Sequence, residues 1–133
     1  EYLRYKTVIP HRLNEFAILV TARQWMAQGE WLAHQGIAEK AGIPKAVIDA
    51  IAQGRRPAGM TDDEALVYQF VTEIQTTRAV SDATFKALLA RFGEQGVIDL
   101  TTLTGYYSML AMVLAVAGNP VPAGVAPPLA PLK

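Results

Sequence analysis

Apolar side chains that recur at steps of three and four residues constrain this chain more than any other feature. Leu13, Phe16, Ala17 and Val20 follow that spacing, as do Val47, Ile48 and Ile51 further on, and Leu66, Phe70, Val71 and Ile74 after them. Such spacing puts each set on one face of an α-helix and is incompatible with the two-residue alternation of a half-buried strand. Glycine, proline and capping residues punctuate the pattern. It predicts an all-α fold, a compact helical domain of about six helices, with no strand pattern of note.

The predicted elements follow from that punctuation. Pro10 suits the first turn of a helix from about Arg12 to Met26, interrupted or ended by Gly29. A second helix runs from about Glu30 to Lys40 and stops at Gly42, a natural left-handed cap. Pro44 opens a short third helix with Val47, Ile48 and Ile51 inward. Residues 54–59 read as a loop. Thr61-Asp62-Asp63-Glu64 has the form of a capping box, with acidic groups at the positive end of a helix that runs to about Ala79. Ser81 caps a fifth helix carrying Phe85, Leu88, Leu89 and Phe92 and ending near Gly93. Asp99 caps or begins the last helix, which ends at Gly118 before Pro120. Residues 1–118 form the domain. Residues 119–133 hold five prolines and form a tail, expected as an extended strap over a neighbouring subunit or as a loosely ordered terminus.

Composition limits the chemistry. The chain has 133 residues, enough for one domain that buries roughly two thirds of its unfolded surface without staples. There is no cysteine, which excludes disulfides, thiolate metal sites and thiol redox cycles. Two histidines, His11 and His34, make a histidine-rich metal site within one chain an unfavourable reading, so no metal and no cofactor are expected. Twelve basic residues balance twelve acidic ones, and Arg55-Arg56 is too small a cluster for a nucleic-acid footprint. The longest apolar stretch, Met109 to Ala117, is too short to span a bilayer, so no membrane partner is expected. Half the residues are apolar and only 18% are charged, a balance that points to extra surface hidden between subunits. The chain starts at Glu1 without a methionine, which suggests a processed or truncated form of something longer.

One polar constellation stands out. Glu30 and His34 are four residues apart and share a face of the second helix. Glu15 lies among apolar neighbours on the first helix and is either turned to solvent or kept inside for a purpose. If the three converge they form a proton-transfer group: one carboxylate holds the imidazole in a single tautomer, and a second acts as base or is kept neutral by burial. The same spacing also describes an ordinary Glu–His hydrogen bond. Arg23 reads as an ion-pair partner or as a stem covering apolar surface. Trp25, Trp31, Tyr106 and Tyr107 read as core or interface residues before ligand platforms, and Met109 and Met112 as packing.

From Leu13 to Ile51 the chain resembles a known family. The stretches Leu13-Asn14-Glu15-Phe16-Ala17-Ile18-Leu19, Thr21-Ala22-Arg23, Glu30-Trp31-Leu32-Ala33-His34, Ala38-Glu39-Lys40-Ala41-Gly42-Ile43-Pro44 and Ile48-Asp49-Ala50-Ile51 are similar to the core of the carboxymuconolactone decarboxylase and alkylhydroperoxidase-D-like superfamily. In the redox branch of that family a glutamate is followed, after eleven residues, by Cys-x-x-Cys-x-x-x-His. Registered on Glu15 and His34, the cysteine positions hold Ala27 and Glu30. Thiol peroxidase activity is therefore not expected.

The resemblance implies the decarboxylase type of chemistry, a cofactor-free lyase or proton-transfer enzyme on a small carboxylated ring compound. Glu15, Glu30 and His34 are its catalytic candidates, with His34 as acid–base residue oriented by Glu15. Arg23 and Trp31 are substrate-binding candidates, and Arg55 or Arg56 could equally hold a substrate carboxylate. The alternative is a non-catalytic oligomeric small-ligand-binding relative. A hydrolase or dehydratase on the same pocket is a third reading. The family also implies a cytoplasmic homotrimer or homohexamer with sites near subunit contacts.

Overall fold

A computed structural model of the chain describes residues 1–132 and contains six helices, with no strand among the described residues. They are α1 (Tyr2–Tyr5), α2 (His11–Gln24), α3 (Gln28–Lys40), α4 (Lys45–Ala52), α5 (Asp62–Thr77) and α6 (Asp82–Val116). The all-α expectation holds. The partition differs at the N-terminus, where α1 has no counterpart in the periodicity, and the two last predicted helices follow one another within α6 on either side of a kink at Gly93.

The centre of the fold is α2. It packs against α3, α5 and α6, and every residue from Leu13 to Arg23 is buried. A helix surrounded on all sides has no solvent face, so the apolar stripe of Leu13, Phe16 and Val20 marks only part of what is inside. Asn14, Glu15, Thr21 and Arg23 go in with it. Thr21 satisfies its hydroxyl on the Ala17 carbonyl one turn back.

Local chemistry fixes the boundaries. α2 ends on Met26, whose φ of 53° takes the left-handed position, two residues before α3 begins. Gly29 therefore ends no helix. It lies in the first turn of α3, where a Cβ would sit 3.5 Å from the Pro120 carbonyl oxygen. Gly42 closes α3 as expected, at φ 95°, with its N–H on the Glu39 carbonyl and the Ile43 N–H on the Ala38 carbonyl. The Thr61–Glu64 capping box forms with both bonds, at 3.1 and 2.9 Å. Ser81 caps α6 by accepting the Thr84 N–H.

Gly93, at φ 71° and ψ 179°, breaks the helical backbone as expected, so α6 is two helical segments that meet at a kink. The second segment begins just after Gly93, so Asp99 lies inside it and caps nothing. Its buried carboxylate instead accepts the Val8 N–H at 2.9 Å and the Tyr2 hydroxyl at 3.2 Å, which ties the N-terminal arm to α6. The inner face of α6 carries Leu88, Leu100, Leu103, Tyr107 and Ala111. Phe85, Leu89, Tyr106, Met109 and Met112 are exposed, contrary to the packing expected of the two methionines and of Phe85 and Leu89. By length and composition α6 is long and apolar enough to cross a membrane, longer than the stretch Met109–Ala117 alone suggested. It packs against α2 and α5 here.

The tail is tied to its own chain. Leu129 is buried, and both its N–H and its carbonyl bond the Gln28 side chain at 2.8 Å. Further on, Leu132 passes so close to Gly54 that a Cβ there would meet it at 2.6 Å. Lys133, the last residue of the predicted tail, lies outside the described residues.

Candidate functional site

The route from sequence to site runs through α2 and α3. Glu15 is fully buried on the central helix, and α3 crosses it with His34 facing inward. His34 Nδ1 stands 2.7 Å from Glu15 Oε2. A carboxylate oxygen accepts, so the ring holds its proton on Nδ1 and directs the Nε2 lone pair to the opposite side. There, 3.5 Å away, is Glu30 Oε2, one helical turn before His34 on the same face of α3. The structure thus brings Glu15, His34 and Glu30 together in a line, with the imidazole between two carboxylates.

The line leads from the core outward. Glu15 is 0% exposed and His34 is 6% exposed, while Glu30 is half-buried. The outer end opens on a cleft of about 410 Å³ between α1, α3 and α6. Leu3 and Arg4 of α1, Glu30, Ala33 and His34 of α3, and Tyr106, Tyr107 and Leu110 of α6 line it. Tyr107 sets its ring edge-on against His34, with centroids 5.2 Å apart, and fixes the imidazole plane from the side.

Burial shapes the charges. The Glu30 carboxyl is raised above its ordinary value because it is partly removed from water, and the nearby His34 and Arg4 pull it back only in part. Burial pushes the Tyr107 phenol up to about 12, so it is a neutral hydrogen-bond donor at any working pH. Arg4 Nη2 lies 3.7 Å from Glu15 Oε1, beyond hydrogen-bond length, and that oxygen has no other partner. One carboxylate therefore serves an imidazole and faces a guanidinium.

The other candidates sit elsewhere. Trp31 is in the core, with its indole N–H on Gln35, and does not line the cleft. Arg23 is 3% exposed, and Nε and Nη1 have no partner among the described residues. Its guanidinium lies close to Gly54, where the tail passes, and burial lowers its pKa. Arg55 bonds Gln53, and Arg56 stacks over the Tyr68 ring, both exposed on the loop. None of these arginines reaches the cleft. Arg4 does, and the sequence reading passed it over. It stands on a four-residue helix with no periodicity to mark it, and only the fold brings it over Glu15.

Among the described residues no group of three or more acidic or histidine side chains is arranged to hold a metal ion. The geometry gives the reason, since the two imidazole nitrogens address Glu15 and Glu30 on opposite sides of one ring. A second, more apolar cleft of about 280 Å³ lies between Trp25, Phe70 and Ser108, floored by a Trp25–Gln75–Ser108 chain of hydrogen bonds. It holds no carboxylate or imidazole.

Comparison with family models, with curated proteins and with solved structures returns no match.

Proposed function

We propose that this protein is a cofactor-free proton-transfer enzyme of the lyase type. It acts on a small carboxylated ring compound in the manner of the carboxymuconolactone decarboxylases that its sequence resembles. The observation that carries the reading is the buried 2.7 Å contact between Glu15 and His34, with the second ring nitrogen turned to Glu30 and a cleft. In decarboxylation the electrons left by carbon dioxide flow into a conjugated carbonyl, and the protein must position the carboxylate and deliver a proton to carbon. A Glu30 carboxyl, whose pKa burial raises, supplies that proton to carbon; His34 Nε2, its ring held by Glu15, then passes a proton from solvent back to Glu30. Tyr107, neutral and aimed at the same ring, favours an uncharged, water-poor site.

The same reading includes assembly as a homotrimer or homohexamer in the cytoplasm. An apolar stripe on the outer face of α6 supports assembly: Ile98, Tyr106, Met109, Val113 and Val116 are all exposed, at successive steps of eight, three, four and three residues. Mass measurement in solution checks it, and a monomer would contradict it.

A second reading, a non-catalytic small-ligand-binding protein, draws support from the low exposure of His34 and of Tyr107 beside it. One experiment separates the two. Carboxylated lactones are screened for carbon dioxide release with the native chain and with His34→Gln. The catalytic reading expects turnover that the variant loses. Saturable binding without turnover supports the second reading.

A further inference from the structure

Two buried polar side chains outside the proton relay hold the N-terminal arm, although Asp99 also accepts from Gln95 within α6 and Asn14 Oδ1 has no partner among the described residues. Asn14, on the central helix, donates from Nδ2 to Thr7 Oγ1 at 2.9 Å and to the Leu3 and Ile9 carbonyls at 3.3 and 3.4 Å. Asp99, inside α6, accepts the Val8 N–H and the Tyr2 hydroxyl. Both are almost wholly buried, and burying an amide and a carboxylate is costly unless their bonds are made. What they fix is a segment with little core of its own, since Ile9 is the only residue of 1–9 that is fully inside. Residues 2–9 are thus held at defined points along their length, and the residue they bring to the cleft is Arg4.

Arg4 has donors to spare there. Among the described residues its only charged neighbour within 4 Å is Glu15 Oε1, at 3.7 Å, its buried Nε has no hydrogen-bond partner, and its guanidinium carbon lies 4.9 Å from the Tyr5 ring centroid. We infer that the arm is the substrate-recognition element of the cleft, and that Arg4 receives a carboxylate of the substrate in a forked pair. The inference rests on the proposed function for the reaction but not for the binding. The guanidinium fork matches a carboxylate in shape and charge. The acidic groups around it, Glu1, Glu15 and Glu30, disfavour a dianionic phosphate more than a singly charged carboxylate. Leu3, Tyr106 and Leu110 offer the rest of the ligand an apolar wall. Bound so, the carboxylate end lies at α1 and the body of the ligand lies toward Glu30 and His34. Asn14 and Asp99 are positioning residues that act through the arm.

The test uses two probes of equal shape, benzoate and benzamide, titrated into the full chain at neutral pH and followed by the amide and Tyr107 signals in NMR spectra. Benzoate is expected to bind at millimolar concentration or better, and at least about tenfold more tightly than benzamide, as one charge-assisted pair supplies. Arg4→Gln removes the preference, Arg4→Lys restores part of it, and Asn14→Ala weakens it with Arg4 intact. Benzoate binding is read without any reaction, which separates the inference from the proton-transfer reading, since that stands or falls on turnover. Equal affinity for the two probes, a preference that survives Arg4→Gln, or no binding of benzoate would each overturn the assignment. Unchanged amide spectra outside the arm show that each variant has folded.

Discussion

Two glutamates are completely buried in this protein, and they are buried for different reasons. Glu64 sits at the start of α5, closes the capping box with Thr61 and pairs with Arg12 from α2. Its oxygens are used by groups that the fold itself must satisfy, and no cleft opens on them. Glu15 sits in the middle of α2, where no backbone N–H is free to take its charge. It bonds an imidazole and faces the arginine of a cleft. A buried charge without a structural debt to discharge is the better candidate for chemistry. The pair teaches that burial alone does not mark a site; what matters is where the second oxygen and the partner's far side point.

The largest effect that tests the contrast is on turnover. His34→Gln is expected to lower carbon dioxide release by about 10²- to 10⁴-fold, the usual worth of a positioned acid–base group, while leaving the thermal midpoint nearly unchanged. Steady-state kinetics together with a melting curve check both halves. Next comes stability. Glu64→Ala removes the cap and strips Arg12 of its partner; because Arg12 is partly exposed, we expect a loss of about 2 kcal/mol in chemical denaturation. Activity per folded molecule should not move. A variant that kept its stability but lost turnover would reverse the roles given to the two glutamates.

Smaller effects sharpen the picture on α3, the helix that carries Glu30 and His34. Gly36 is exposed in mid-helix, and a Cβ there meets nothing within 4 Å. Gly36→Ala should therefore stabilise by about 1 kcal/mol and leave the site untouched. The last effect depends on pH. Burial raises the Glu30 carboxyl above 4.5, so the folded state binds its proton more tightly than the unfolded chain does. That contribution to stability is full below 4.5 and is lost as pH rises through the folded-state value. Glu30→Gln should consequently match the native chain at acid pH and melt slightly higher at neutral pH. Thermal melts at several pH values read the difference, and a variant that melts lower at neutral pH would contradict the sign.

Much of this molecule was legible in its sequence, for reasons that can be named. Gly42, Thr61-x-x-Glu64 and Ser81 act through local backbone geometry, and local geometry is written in adjacent residues. The i, i+4 relation of Glu30 to His34 is of the same kind. Their meeting with Glu15 was suggested by a resemblance and is visible in the fold, though the comparisons add nothing to that resemblance. What could not be read depends on distant partners. α2 is surrounded on every side, so its apolar stripe understates its burial, and Arg23 goes inside away from the cleft. The tail resembled a strap for a neighbour, yet Gln28, 101 residues away from Leu129 in sequence, holds it on its own chain. Arg4 belongs to the same class: a four-residue helix has no period, and only Asn14 and Asp99 give it a place.

The account turns on the orientation of one ring. Two-bond proton–nitrogen spectra of His34, recorded at alkaline pH where a neutral ring shows its tautomer, test it most directly. The native chain is predicted to carry the proton on Nδ1, and Glu15→Leu, which keeps the volume but removes the acceptor, should release the ring to the Nε2–H form that free imidazoles favour. A native His34 protonated on Nε2, or a tautomer indifferent to Glu15→Leu, would contradict the claim that Glu15 turns His34 toward Glu30 and the cleft.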